Sequence, residues 1–371
     1  MIYLDYAATT PLDPTVIEEM YNFMKSCYGN PSSKYYEQSE QSKTAIRTAR
    51  ERVANLFNCK PEDILFNSGA TEGNNFILKG IADAYKHKGQ HIITSVAEHK
   101  AILSTCKYLE TQGYDITYLP VNKQGVVELE SLEKAFRNDT ILVSIMWANN
   151  EIGSINDINT ISKKCKEQGI LFHTDATQIV GKLPIDLKQI EVDFLTCSAH
   201  KLYGPKGIGA TFIRSSKYGR KPKITPLIHG GAQENGLRAG TESLHNIVGF
   251  GKACEISQSE MNNYIKHIEA IENDIIEQLK TLPTIQFNSP KDNKIPGIIN
   301  FSIPGINNEF AIKMLSEHYS ISSGSACAIG EPSHVLKELG NEESDYFRIS
   351  LGKFTKNIDI TEMVNTLKQF T

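Results

Sequence analysis

At 371 residues, 40% hydrophobic and 22% charged, the chain has the length of two domains and the composition of an ordinary globular enzyme. A net charge of -4 and a pI near 6.2 leave no basic footprint, so direct nucleic acid binding is not expected. No stretch approaches about eighteen apolar residues and the amino end lacks a basic, apolar leader, which excludes a membrane span and predicts a cytoplasmic protein. The seven cysteines are odd in number, scattered and without a Cys-x-x-Cys pair, a pattern of free thiols with no disulfide framework and no metal site.

Leu4-Asp5-Tyr6-Ala7-Ala8-Thr9-Thr10-Pro11 reads as a short extended entry, and a helix follows over 14–25 with Val16, Ile17, Met20 and Phe23 on one side. After the turn signal Gly29-Asn30-Pro31-Ser32-Ser33, helical spacing resumes over 42–57, and a strand over 64–66 runs into the small-residue loop 67–75. An apolar helix is expected from Phe76. Ala70 and Thr71 stand where a loop opening a helix offers N–H groups and a hydroxyl to a phosphate, although a Gly-Ala-Thr turn by itself is as readily a plain helix start. The strand 91–95 delivers Glu98-His99-Lys100, and the strand 141–146, apolar but for Ser144, ends in Trp147-Ala148-Asn149-Asn150-Glu151.

Two further strands, 169–172 and 192–195, lead to Phe172-His173-Thr174-Asp175-Ala176-Thr177-Gln178 and to Ser198-Ala199-His200-Lys201. Asp175 and Lys201 at neighbouring strand ends suit pyridoxal phosphate, which needs an amine for its Schiff base and a carboxylate to keep its pyridine nitrogen protonated. Either residue alone would be read as a capping aspartate or a loop lysine. The alternation of strands and helices over 64–213 predicts a largely parallel sheet with helices on both faces. Each polar turn falls at a strand's carboxyl end, where open α/β sheets bind ligands.

The glycine-rich segment 228–241 is too long for a simple turn. Helical spacing covers 243–280, with a charged part at 264–279 that links two domains, and a strand over 298–303 begins a smaller α/β unit. The small-residue loop 321–332 carries Cys327, a short helix follows at 333–339, Arg348 lies on the strand 347–352, and a last helix closes the chain.

Leu4 to Pro11, Thr174 to Gln178, Ser198 to Gly209 and Phe347 to Thr355 together resemble the pyridoxal-phosphate-dependent cysteine desulfurases, fold type I enzymes of the class V aminotransferase family. Ser322-Ser323-Gly324-Ser325-Ala326-Cys327 is similar to the mobile-loop motif of their first group. The resemblance implies an α/β fold with a large domain at 15–250, built on a mainly parallel seven-stranded sheet, and a smaller α/β domain at 251–371. The arm 1–14 goes with the small domain and borders the substrate site.

It further implies that Lys201 bears the cofactor, Asp175 faces its pyridine nitrogen and His99 stacks on its ring and moves protons. Asn150, Gln178, Ser198, His200, Ala70 and Thr71 hold its ring and phosphate. Arg348, with Asn150, binds the substrate carboxylate. Thr241 reaches across a homodimer interface to the partner's phosphate. L-cysteine is converted to L-alanine, its sulfur passing to Cys327 as a persulfide and then to an acceptor protein.

The chain departs from the family pattern at Tyr35, at Asn235 and in the short spacing from Cys327 to Glu331-Pro332. That spacing, with the absence of a longer carboxyl tail, favours a dedicated pathway such as DNA phosphorothioation over general iron-sulfur assembly or tRNA thiolation. The rival readings are an aminotransferase or selenocysteine lyase and a catalytically silent partner-binding relative. Cys327 argues against the first two, and the intact Asp175, His99 and Lys201 against the third.

Overall fold

The strands among the described residues, in chain order, are β1 (Ile2–Tyr3), β2 (Ile64–Asn67), β3 (His91–Ser95), β4 (Asp115–Leu119), β5 (Thr140–Ser144), β6 (Leu171–Asp175), β7 (Phe194–Ser198), β8 (Gly209–Ile213), β9 (Gln286–Phe287), β10 (Ile298–Ser302), β11 (Tyr319–Ser320) and β12 (Tyr346–Ser350). They are described in a computed structural model for residues 1–323, 333–340 and 346–370. Strands β2 to β8 form one seven-stranded sheet in the order β2-β8-β7-β6-β5-β3-β4, parallel throughout except that β8 runs against both of its neighbours. The expected mainly parallel α/β sheet is therefore present.

Adjacent residues of its strands face opposite sides, as the two-residue period requires. Ile92, Leu142, Phe194 and Ile213 enter one apolar core, and Ile93, Val143, Leu195 and Phe212 enter the other. Helices cover both faces: α1 (Pro14–Ser26), α2 (Glu37–Phe57), α3 (Ala70–Tyr85), α4 (Lys100–Thr111), α5 (Leu129–Ala135), α6 (Ile158–Glu167) and α7 (Leu244–Leu279), followed by α8 (Asn308–Leu315), α9 (His334–Glu338) and α10 (Thr361–Lys368). Ile77 and Ile81 of α3 and Ile102 of α4 pack on the first side. Val53 of α2, Ile161 of α6 and Phe250 of α7 pack on the second.

Several boundaries differ from the periodicity reading. Helix α2 begins at Glu37, five residues before the apolar spacing does, because its first turn is polar and carries Glu37 and Glu40, which suit a helix amino end. Helix α3 begins at Ala70, not Phe76, so Ala70 and Thr71 lie in its first turn. Strands β6 and β7 end later than expected, with Asp175 and Ser198 as their last residues.

The spacing over 243–280 is one helix of 36 residues. Its first half joins the sheet core through Phe250, Ala253 and Cys254, close enough to α2 that a Cβ on Gly251 would lie 2.6 Å from Ala49 Cα. Its second half, with Ile268, Ile271, Ile275 and Leu279, builds another core with Ile299, Phe301, Phe347 and Ile349 of β10 and β12. Leu4 and Tyr6 of the amino-terminal arm join this second core, and β1 pairs in parallel with β11. Residues 324–332 of the predicted loop, Cys327 among them, lie outside the described residues. Among the described residues no helix is long and apolar enough to cross a membrane.

Candidate active site

Ten of the twelve site residues expected from the sequence meet around one cavity of about 220 Å³: Ala70, Thr71, His99, Asn150, Asp175, Gln178, Ser198, His200, Lys201 and Arg348. Nine come from the carboxyl ends of sheet strands or the segments that follow them, and Arg348 comes from β12 of the second core.

At one end the turn after β2 is braced by Asn67, whose Oδ1 accepts from Gly69 N at 2.9 Å and whose Nδ2 donates to Thr211 Oγ1 at 2.8 Å. Ala70 N donates to Ser198 Oγ at 2.7 Å. Helix α3 thus opens its amino end towards the hydroxyl that ends β7, a place where N–H groups and helix polarity favour a phosphate. His200 lies beside it, its Nδ1 3.1 Å from Thr9 Oγ1, and burial pushes its pKa down to about 4, leaving a neutral imidazole.

Asp175 accepts from Asn74 Nδ2 at 2.7 Å and from Thr177 N at 2.9 Å. His99 caps α4: its Nδ1 accepts from Ala101 N at 3.1 Å, so the ring proton of the neutral imidazole sits on Nε2. Burial lowers its pKa against the opposing field of Asp175, which favours that neutral form. His99 is both the cap that a lone histidine usually is and a wall of the cavity.

The amine of Lys201 donates to Ala7 O at 2.5 Å and Ala8 O at 2.8 Å, so the amino-terminal arm closes the cavity over it. Gln178 Nε2 donates to the same Ala7 carbonyl at 3.0 Å, and its Oε1 accepts from Lys182 Nζ at 2.6 Å. The buried Lys182 has its pKa lowered to about 7, first by burial and then by the charges of Lys201 and Arg348. Arg348, 1% exposed, donates to Asp5 Oδ1 at 2.7 Å and to Asn150 O at 3.0 Å. Its Nε has no partner among the described residues.

Thr241 is exposed and does not line this cavity. Its loop is pinned to the outside of β2 and α3: Glu234 takes a two-pronged bond from Arg50 at 2.6 and 2.9 Å and accepts from Phe66 N, while Arg238 donates to Glu72 at 3.0 Å. Sequence reasoning missed Ala7, Ala8, Met146, Ala148 and Thr177 as lining residues, and Asp5, Asn74 and Lys182 behind them. Helical spacing could have found one: Asn74 lies four residues after Ala70 in α3, whereas Gln178 and Lys182 lie in turns.

The cavity fits pyridoxal phosphate. An amine, a carboxylate and a helix amino end surround it, and two of its lining residues, Thr177 and Arg348, bring buried polar atoms that have no partner among the described residues. Lys201 would hold its aldehyde carbon, Asp175 its pyridine nitrogen, and Ala70, Thr71, Ser198 and His200 its phosphate.

Comparison with known proteins agrees. The aminotransferase class-V family model matches residues 2–363. The chain is 44% identical to the cysteine desulfurase IscS of Klebsiella pneumoniae over 99% of its own length and 92% of that protein. Among solved structures, a NifS-like protein shares 37% identity at a TM-score of 0.92, covering 99% of this chain and 98% of that one. SspA in complex with cysteine shares 36% at 0.83, covering 96% and 100%. The chain belongs to the class-V aminotransferase family, whose desulfurase members depend on pyridoxal phosphate. Within that family it is a cysteine desulfurase.

Behind His99, Glu98 is fully buried and uses only one oxygen: Oε1 accepts from Met146 N at 2.7 Å and Ser95 Oγ at 3.0 Å, while Oε2 has no partner among the described residues. Burial raises its pKa from 4.5 to about 8. Between those values the unfolded chain has lost a proton that the folded chain keeps, so this group makes stability fall as pH rises. Glu98→Gln, which mimics the protonated side chain, is expected to flatten the fall of melting temperature relative to the parent between about pH 5 and 7 and to add on the order of 2 kcal/mol at pH 7. Thermal unfolding followed against pH checks this. Equal slopes in both proteins would mean that Glu98 ionises in the fold.

Proposed function

We propose that this cavity takes sulfur from L-cysteine, releasing L-alanine and leaving a persulfide on Cys327 for a protein acceptor. The observation that carries the reading is the convergence of Lys201, Asp175 and Arg348 on one cavity from elements far apart in the chain. Bound pyridoxal phosphate supplies the electron sink that lets the substrate's Cα–H bond break.

The chain's own residues do the rest. Arg348 is held by Asp5 and Asn150, its Nε is without a partner among the described residues, and it receives the substrate carboxylate. Lys201 takes the Cα proton. His99 exchanges a proton with the substrate thiol through Nε2. Cys327, as thiolate, attacks the substrate sulfur: the Cβ–S bond breaks, an S–S bond forms, and the three-carbon skeleton leaves as alanine after reprotonation.

The reading extends to a cytoplasmic homodimer in which Thr241 serves the partner's phosphate site. The exposure of Thr241 on a loop braced from behind by Arg50 and Glu72 supports this. The six free cysteines among the described residues support a reducing compartment. A division into two domains within α7, with the arm on the carboxyl-terminal one, is supported by the packing of Leu4, Tyr6 and the second half of α7 in one core.

Purified protein incubated with L-cysteine is expected to yield alanine together with one added sulfur on the peptide containing Cys327. Cofactor-loaded protein that gives neither product would overturn the proposal. In the same assay Arg348→Lys is expected to raise KM for cysteine about tenfold or more, because an ammonium keeps the charge beside Asp5 and loses the planar pair of donors. An unchanged KM would remove Arg348 from carboxylate binding.

A further inference from the structure

Behind Asp175 lies a line of polar side chains that none of the roles above uses. Asn74, Thr196, His173 and Ser144 are each completely buried. Asn74 Nδ2 donates to Asp175 Oδ2 at 2.7 Å, and Thr196 Oγ1 donates to Asn74 Oδ1 at 2.5 Å. His173 Nε2 lies 3.2 Å from Thr196 Oγ1, and His173 Nδ1 lies 2.8 Å from Ser144 Oγ.

The carboxylate end sets the direction of every bond. A carboxylate only accepts, so Asn74 turns its NH2 to Asp175 and its carbonyl to Thr196. The single proton of Thr196 is committed to Asn74, so its oxygen accepts from His173 Nε2–H. The imidazole is then the neutral Nε2–H form, and its Nδ1 accepts from the Ser144 hydroxyl. Burial pushes the His173 pKa down, in keeping with an uncharged ring. Four donors in series point one way, each polarising the next, and the series ends on Asp175.

The fold assembles this line from four elements. Ser144 pairs with His173 across β5 and β6, and Asp175 with Thr196 across β6 and β7. Asn74 reaches them from α3 because Gly73 lets the helix lie directly on the sheet: a Cβ there would come within 2.8 Å of Thr211 Oγ1 and 2.9 Å of Thr196 Cγ2. A packing role would require only that each buried group find a partner. A common direction ending on a cavity carboxylate goes beyond that requirement.

We propose that Ser144, His173, Thr196 and Asn74 act as positioning residues that hold Asp175 aimed at the cofactor's pyridine nitrogen, an inference that rests on the reading of Asp175 as that nitrogen's partner. The test uses protein loaded with pyridoxal phosphate carrying nitrogen-15 in the ring, its resonance recorded for the parent, Asp175→Asn, Asn74→Ala, Thr196→Val and Thr196→Ser. Asn74→Ala and Thr196→Val are expected to move the resonance from the protonated towards the unprotonated position, in the same direction as Asp175→Asn. Their kcat should fall about tenfold while KM for cysteine changes less than about twofold.

Thr196→Ser restores the hydroxyl and is expected to keep the parental resonance. A parental resonance in both Asn74→Ala and Thr196→Val, alongside a shifted one in Asp175→Asn, would reduce the line to packing and overturn the inference. An unshifted Asp175→Asn would instead remove Asp175 from the ring nitrogen, and the inference would fall with that reading. Should Asn74→Ala not fold, Ser144→Ala interrupts the far end of the line and is judged by the same resonance.

Discussion

Lys201→Ala is expected to lower alanine formation by at least about 10³-fold, the upper range for loss of one positioned proton-transfer group. On the proposed reading the substitution removes two functions at once: the covalent hold on the cofactor and the amine that takes the Cα proton. It also leaves the Ala7 and Ala8 carbonyls without the donor that now bridges them, which loosens the arm over the cavity. The cofactor's visible band should be removable by dialysis in the variant and retained in the parent. A small primary amine added to the variant should recover part of the lost rate, because it restores the base without the tether. Alanine formation within about tenfold of the parent would exclude Lys201 as the base.

Cys327→Ala is the second large effect, and its signature is the opposite. The cofactor band should persist, whereas persulfide should be absent and alanine formation without an added thiol should fall about 10²-fold or more. The other cysteines cannot substitute. Cys106, Cys165, Cys197 and Cys254 are buried in the cores, where burial raises their pKa values, to about 12 for Cys106 and Cys197. Cys59 is likewise raised to about 12 by burial, and Cys27 lies buried 3.3 Å from Ser42 Oγ. None of these six lines the cavity, and a thiol without access or thiolate character is a poor sulfur acceptor. A sulfur adduct found on any of them at parental yield in Cys327→Ala would refute the assignment.

The local chemistry of the site was legible in the sequence wherever a residue's role depends on its own segment. Asp175, Ser198 and Lys201 announce themselves because each follows an apolar run into a polar turn, and a strand end is where an α/β sheet exposes functional groups. The sheet itself was legible for the same reason: nearly continuous apolar runs such as Ile141 to Met146, broken by Ser144 alone, are tolerated only where both faces are covered. Element ends were less so. The polar first turn of α2 and the small residues opening α3 carry no apolar period, neither helix has a side-chain cap, and their helical state follows from the packing of Ser39 and Ser42 in α2 and of Ala70, Gly73 and Asn74 in α3.

The chain by itself therefore determined the class of chemistry and the residues proposed to perform it, ten of which line one cavity. Only the tertiary structure decided what surrounds them. Asp5 meets Arg348 across 343 residues, Ala7 meets Lys201 across 194, and Asn74 meets Asp175 across 101. No one-dimensional pattern marks such partners, because an Asp after a short strand or an Asn in a helix has the same local propensity wherever it is placed. The direction of the line from Ser144 to Asp175 is a still longer-range property. It exists only when two sheet registers and the seat of α3 place four polar groups within hydrogen-bonding distance where water is excluded, and there each must orient its protons to suit the next.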